Sequence, residues 1–217
     1  MVTTNPRNKP AIGFEDYLIR DDDSDRPQEL VDGTLITMPP PTWMHRLIAK
    51  FLVQVLDQAI EASGRDDDWT TLWVPGQRTG DATSRLPDVA IVPFSMIENV
   101  LASAVLICPA PLVVEIVSQN WQDDYLIKLA EYETLGIPEY WIVDYQGLGG
   151  TRYIGQPKRP TISVYSLVEG EYQVSLFRAG DRIESATFPD LELSAEAVFA
   201  AGQPRYLRSQ SQEIYES

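Results

Sequence analysis

Between Thr42 and Ser63 the apolar residues Leu47, Ile48, Phe51, Leu52, Val55, Leu56 and Ile60 recur at helical spacing. The pattern predicts a long helix, with Thr42 as N-cap and Gly64 closing it, that lays one face on a sheet. Ahead of it, Gln28 to Thr37 reads as two short strands joined by Asp32-Gly33, a strong hairpin signal, and Pro39-Pro40-Pro41 ends the unit. Strands are expected at Thr70 to Val74, Leu86 to Val92 and Pro111 to Val117. The last is nearly all apolar and β-branched, as in a strand buried on both faces. A second helix is predicted from Trp121 to Leu135, capped by Ser118 or Asn120 and stopped by Gly136 and Pro138. Tyr140 to Asp144 gives a fourth core strand; beyond the break at Gly147 to Gly150, Thr161 to Leu167 and Tyr172 to Phe177 form a hairpin turning at Glu169-Gly170. Short helices are expected near Phe14 to Arg20 and at Ser194 to Ala200, with a flexible N-terminal arm over residues 1–12 and a polar C-terminal tail over 203–217.

The length of 217 residues suits one good core, and no linker or internal repeat divides it, so residues 13–202 are expected to form a single domain. No apolar run reaches the roughly 18 residues that span a bilayer, and the start lacks the apolar segment of a signal peptide, which points to the cytoplasm. With one histidine, His45, and one cysteine, Cys108, zinc chemistry is disfavoured, an internal disulfide is impossible, and no Gly-x-Ser-x-Gly turn offers a nucleophile for His45. Carboxylate chemistry stays open, because 32 acidic residues are present and hard cations prefer oxygen. The net charge of −15 argues against nonspecific coating of nucleic acid. Much of the acid, however, lies in runs that read as solvated loops: Asp21 to Asp25, interrupted by Ser24, and Asp66 to Asp68.

Glu115 is the anomaly in the strand Leu112-Val113-Val114-Glu115-Ile116-Val117. A buried carboxylate is costly unless it is paired or coordinates a metal, although a glutamate at a strand end could also reach solvent or pair with an arginine. Asp88 follows Pro87 at the mouth of another apolar strand. Two carboxylates brought together at one sheet end would repel by roughly 4 kcal/mol at about 4 Å and an effective dielectric near 20, so a cation or a shared proton is required. Lys128, on the helix after the Glu115 strand, shares a helical face with Asp124 and Glu131 and is expected at the border of the apolar face; an ordinary surface pair with Asp124 is the simpler alternative.

Taken in order, Glu29-x-x-Asp32-Gly33, Pro39, His45, Pro87-Asp88, Glu115-x-x-Ser118, Asp124-x-x-x-Lys128-x-x-x-Tyr132 and Glu139 to Asp144 resemble the Uma family of candidate restriction endonucleases, within the PD-(D/E)XK nuclease superfamily. The resemblance implies an α/β (α+β) fold with a restriction-endonuclease-like core: a central mixed β-sheet flanked by helices, with additional β-hairpins. It implies a Mg²⁺- or Mn²⁺-dependent endonuclease hydrolysing DNA phosphodiesters, the metal held by Asp88, Glu115 and the carbonyl of Ile116. Lys128 takes the place of the lysine that the superfamily pattern puts two residues after the glutamate, where this chain has Val117. Glu29 is a further candidate for the metal shell, and His45 for phosphate contact or proton transfer. Arg46, Lys50, Arg78 and Arg85 are candidates for backbone contacts with the DNA substrate, and a homodimer through the second hairpin is a further expectation. The alternative is a noncatalytic module of the same fold that binds nucleic acid or protein; a carboxylate-based glycosidase has no feature in its favour.

Overall fold

The computed structural model describes residues 11–20, 26–97 and 101–203. The aspartate run at 21–25 and most of the expected arm and tail lie outside them. Asp66, Asp67 and Asp68 are exposed in a turn, as their sequence suggests.

Helix α1 (Phe14–Leu18) leads into β1 (Gln28–Val31) and β2 (Thr34–Thr37). Asp32 and Gly33 both take positive φ, 47° and 74°, the twist of a tight antiparallel hairpin. Helix α2 (Trp43–Ala62) starts where Thr42 accepts a hydrogen bond from the His45 amide, and it is followed by β3 (Trp69–Trp73). Strands β4 (Gly76–Gly80), β5 (Thr83–Arg85), β6 (Val89–Pro93), β7 (Val105–Leu106) and β8 (Leu112–Ile116) come next. The helical stretch from Trp121 holds a π-helical turn, Asp123–Lys128, before α3 (Leu129–Leu135), which Gly136 closes at φ 86°. Strand β9 (Glu139–Asp144), the short α4 (Thr151–Ile154), β10 (Thr161–Val168), β11 (Glu171–Phe177) and α5 (Ala195–Ala201) complete the fold.

The strands make two mixed sheets. The larger runs β11-β10-β9-β8-β6-β3, with β8 and β9 parallel and the other neighbours antiparallel. The smaller runs β2-β1-β5-β4-β7. Alternation along the large sheet sorts its side chains between two cores. Val89, Ile91, Leu112, Val114, Ile116, Trp141 and Val143 face Ile48, Leu52, Leu56 and Ile60 of α2. Ala90, Val113, Val117, Tyr140 and Ile142 face Tyr125 and Tyr132 on the opposite side. Burying those four α2 side chains stabilises the fold by about 1.5–3 kcal/mol each.

Two sequence expectations are corrected. The strand expected from Leu86 begins only at Val89, and Asp88 stands just before the ladder, at the mouth of the strand as its sequence suggests. The sequence reading places no strand between Val74 and Leu86, yet Gly76 to Arg85 forms a hairpin of the small sheet. Its buried Gln77 is fully satisfied: Nε2 donates to the carbonyls of Leu106 (3.3 Å) and Cys108 (3.1 Å), and Oε1 accepts from the Ala110 amide at 3.1 Å. Among the described residues no helix is long and apolar enough to cross a membrane.

Candidate active site

Strands β6 and β8 pair antiparallel with Val89 opposite Val114, a register that carries Asp88 to the level of Glu115. Asp88 is fixed from two sides. Its Oδ2 accepts the backbone N–H of Ile116 at 2.7 Å, and its Oδ1 lies 2.7 Å from Nε2 of His45, on the first turn of α2. The Thr42 cap positions that turn, so a local helix signal places the only histidine against the first carboxylate. Both side chains keep a share of solvent, 12% exposed for His45 and 20% for Asp88.

Glu115 lies between Val113 and Val117 in the alternation of β8, which turns it toward α3. There Oε1 accepts from the Tyr132 hydroxyl at 2.8 Å, and Oε2 lies 3.0 Å from Nζ of Lys128. Lys128 also faces Glu29 at 3.5 Å and Asp124 at 3.6 Å. The border position expected for Lys128 is therefore corrected: the residue is only 3% exposed. The π-helical turn explains the difference, because it changes the residue count per turn and rotates the segment away from a regular helical wheel.

The small sheet closes the cluster from above. Glu29 on β1 accepts from Arg85 Nη1 at 3.0 Å through Oε2 and from the Leu86 amide at 3.1 Å through Oε1. Both oxygens are engaged, and the carboxylate stands beside Lys128. Arg85 is 2% exposed and binds Glu131 with two nitrogens, the Nε contact measuring 2.8 Å. Thr79 donates to the same carboxylate at 2.9 Å. The suggestion that Arg85 contacts a nucleic-acid backbone is overturned, since its guanidinium is spent inside the protein. Arg78 is drawn toward Phe14, 4.3 Å from the ring centroid, and donates to the Gly80 carbonyl. Arg46 and Lys50 remain exposed on α2. Sequence reasoning missed the roles of Arg85 and Glu131; the only trace of them is an arginine two residues before Pro87 and an acid three residues after Lys128.

The electrostatics follow from burying several acids around one ammonium. Burial works against the charge on Lys128, but Glu115, Asp124, Glu29 and Asp88 outweigh it and hold the amine protonated well above its usual range. Burial pushes Glu115 well above the usual carboxylate range; Lys128 opposes the shift, while Asp88, Asp124 and Glu29 add to it. Asp124 is pushed up to about 7, chiefly by burial, with Asp88 and Asp123 adding and Lys128 opposing. For Glu29 burial acts upward, yet Lys128, the Leu86 amide and Arg85 together hold it below its ordinary value. Glu115 and Asp124 therefore hold a proton to higher pH than an ordinary carboxylate.

A hard divalent cation fits this donor set. Asp88 and Glu115 are oxygen donors brought level on neighbouring strands, and the Ile116 carbonyl follows directly in the chain. Among the described residues no group of three or more His, Cys, Asp and Glu side chains is arranged to hold an ion. Side-chain ligation would therefore rest on two carboxylates, with a backbone carbonyl and water filling the shell.

The architecture is that of a restriction-endonuclease-like fold. A crystal structure described as a putative nuclease belonging to DUF820 from Anabaena variabilis ATCC 29413 superposes with a TM-score of 0.68 over 88% of this chain and 99% of that one, at 17% identity. The profile of the Uma2 family, described as "Putative restriction endonuclease", matches residues 14–196, and the chain belongs to that family. No curated protein matches the chain.

Proposed function

We propose that the protein is a divalent-metal-dependent nuclease that hydrolyses DNA phosphodiester bonds. The observation that supports this reading most is the meeting of Asp88, Glu115 and Lys128 at one sheet end, with the lysine delivered from a helix to within 3.0 Å of the glutamate. Asp88, Glu115 and the Ile116 carbonyl would hold Mg²⁺ or Mn²⁺, which when bound supplies Lewis-acid activation of water and of the phosphoryl oxygen.

The remaining work falls to the chain itself. Lys128, kept charged by its ring of carboxylates, stabilises negative charge developing on the phosphoryl group and orients the attacking water. His45, anchored to Asp88 through Nε2 and still partly exposed, moves a proton at its other ring nitrogen, Nδ1. Tyr132 fixes the rotamer of Glu115 through its hydroxyl, and Glu29 with Arg85 braces the far side of Lys128.

The test is cleavage of plasmid and single-stranded DNA by the purified protein with Mg²⁺ or Mn²⁺, beside Asp88→Ala and Lys128→Ala. Cleavage by the parent, lost in both folded variants and in chelator, supports the nuclease. Binding without cleavage under every metal condition would instead identify a noncatalytic module of the same fold.

A further inference from the structure

Trp43 is 83% exposed on the first turn of α2, two residues from His45. At about 100° per residue, Trp43, Arg46 and Lys50 fall within about 60° of one another on the helix surface, and Arg46 lies between that face and His45. Arg46 and Lys50 are exposed as well, and among the described residues neither side chain is taken by an ion pair or a hydrogen bond. No acidic residue occurs from Trp43 to Leu56, although the chain as a whole carries a net charge of −15. Acids return on this face only with Asp57 and Glu61, at the end of the helix away from the carboxylates. An aromatic ring and two cations are thus set together, in a strongly acidic protein, on the helix whose first turn carries His45 to Asp88.

A large exposed tryptophan needs a reason, and the company it keeps narrows the choice. A ring flanked by guanidinium and ammonium groups suits a base π-face with phosphates on either side. Bases inside a duplex are stacked on each other and cannot offer that face, whereas an unpaired strand can. The low count of cations fits the same ligand, since stacking supplies affinity that does not depend on counterion release.

We propose that the Trp43–Arg46–Lys50 face of α2 binds single-stranded nucleic acid, stacking a base on Trp43 and placing neighbouring phosphates against Arg46 and Lys50, so that the strand continues past His45 to Asp88. The inference rests on the nuclease reading for its direction but has its own readout, which is binding.

The experiment measures fluorescence anisotropy of a labelled single-stranded oligonucleotide and of its duplex with the full-length protein in the Asp88→Ala background, which prevents turnover. The single strand should bind more tightly than the duplex. Trp43→Ala should weaken it about tenfold, and Trp43→Phe should restore most of that loss. Arg46→Gln with Lys50→Gln should lower the slope of log K against log salt by about 1.4. The three side chains altered are solvent-facing, so circular dichroism should be unchanged. Equal affinity for duplex and single strand, or an affinity indifferent to Trp43, would overturn the proposal. So would sedimentation showing that Trp43→Ala dissolves a dimer while leaving DNA affinity unchanged, since the ring would then belong to a contact between copies. If the parent binds single strands through Trp43 yet cleaves no substrate with any metal, the nuclease reading fails and this one stands.

Discussion

Nζ of Lys128, carried on a helix, lies 3.0 Å from Oε2 of Glu115, carried on a strand of the large sheet. The ammonium reaches a place that the strand position two residues on, Val117, leaves without a charge. Because Lys128 is the cation shared by Glu115, Glu29 and Asp124, removing it should damage both folding and chemistry. Lys128→Met keeps the volume and deletes the charge. It should lower DNA cleavage by at least about 10²-fold and, by stranding buried acids, cost about 3–5 kcal/mol of stability. Parallel cleavage assays and urea denaturation check the two effects.

His45 touches the site only through its 2.7 Å contact with Asp88. His45→Ala removes a side chain that is only 12% exposed together with its contact to Asp88, so the melting temperature should fall, and activity is compared on the folded variant. Cleavage should fall by about 10²-fold if the imidazole moves a proton. A variant that cleaves as fast as the parent at every pH would leave His45 as a mere brace for Asp88.

Arg85 is a structural group. With Glu131 held by two nitrogens and Glu29 by a third, Arg85→Lys cannot reproduce the planar fork, and Arg85→Ala leaves two acids facing each other. Either change should destabilise the protein, Arg85→Ala by about 3–5 kcal/mol, visible as a lower denaturant midpoint. DNA affinity measured on the surviving folded fraction should not change, because the guanidinium faces no solvent.

Much of this arrangement is legible in the residues, and the gaps have physical causes. The Asp32-Gly33 turn, the α2 stripe and the apolar strand bearing Glu115 each carry a local signal: positive φ, helical period, β-branched density. Asp88 stands out because it opens an apolar strand. The hairpin from Gly76 to Arg85 has no such signal; it is held by Gln77 and Arg85 bonding to partners far along the chain, which no local window contains. Lys128 is misplaced by a regular helical wheel because the wheel assumes a constant turn, and the segment Asp123–Lys128 does not have one.

Glu29 predicts an acid limb of stability. Its pKa is lowered in the folded protein, so its contribution is present above the unfolded value of a glutamate, about 4.3, and is lost as pH falls through the lower folded value. Glu29→Gln should therefore flatten the loss of stability below about pH 4.3, while being less stable than the parent at neutral pH. Thermal melts from pH 3 to pH 7 provide the comparison, and parallel curves for the two proteins would contradict it.

The position of Val117 allows the lysine to be moved back. Val117 is 1% exposed and joins Val113 in the core on the Glu115 side, and its amide continues the ladder to the Val143 carbonyl. A lysine there would leave the strand on the same side as Glu115, with Lys128→Met opening space for its amine. Val117→Lys alone should be destabilising, since it adds a second buried ammonium beside Tyr125 and Tyr132. Combined with Lys128→Met, the new charge would restore neutralisation of Glu115, and the double variant should be more stable than the sum of the singles implies. It should also regain at least about tenfold in cleavage over Lys128→Met alone. Strict additivity in both measurements would mean that the amine must come from the helix, and that the two positions do not reach a common point.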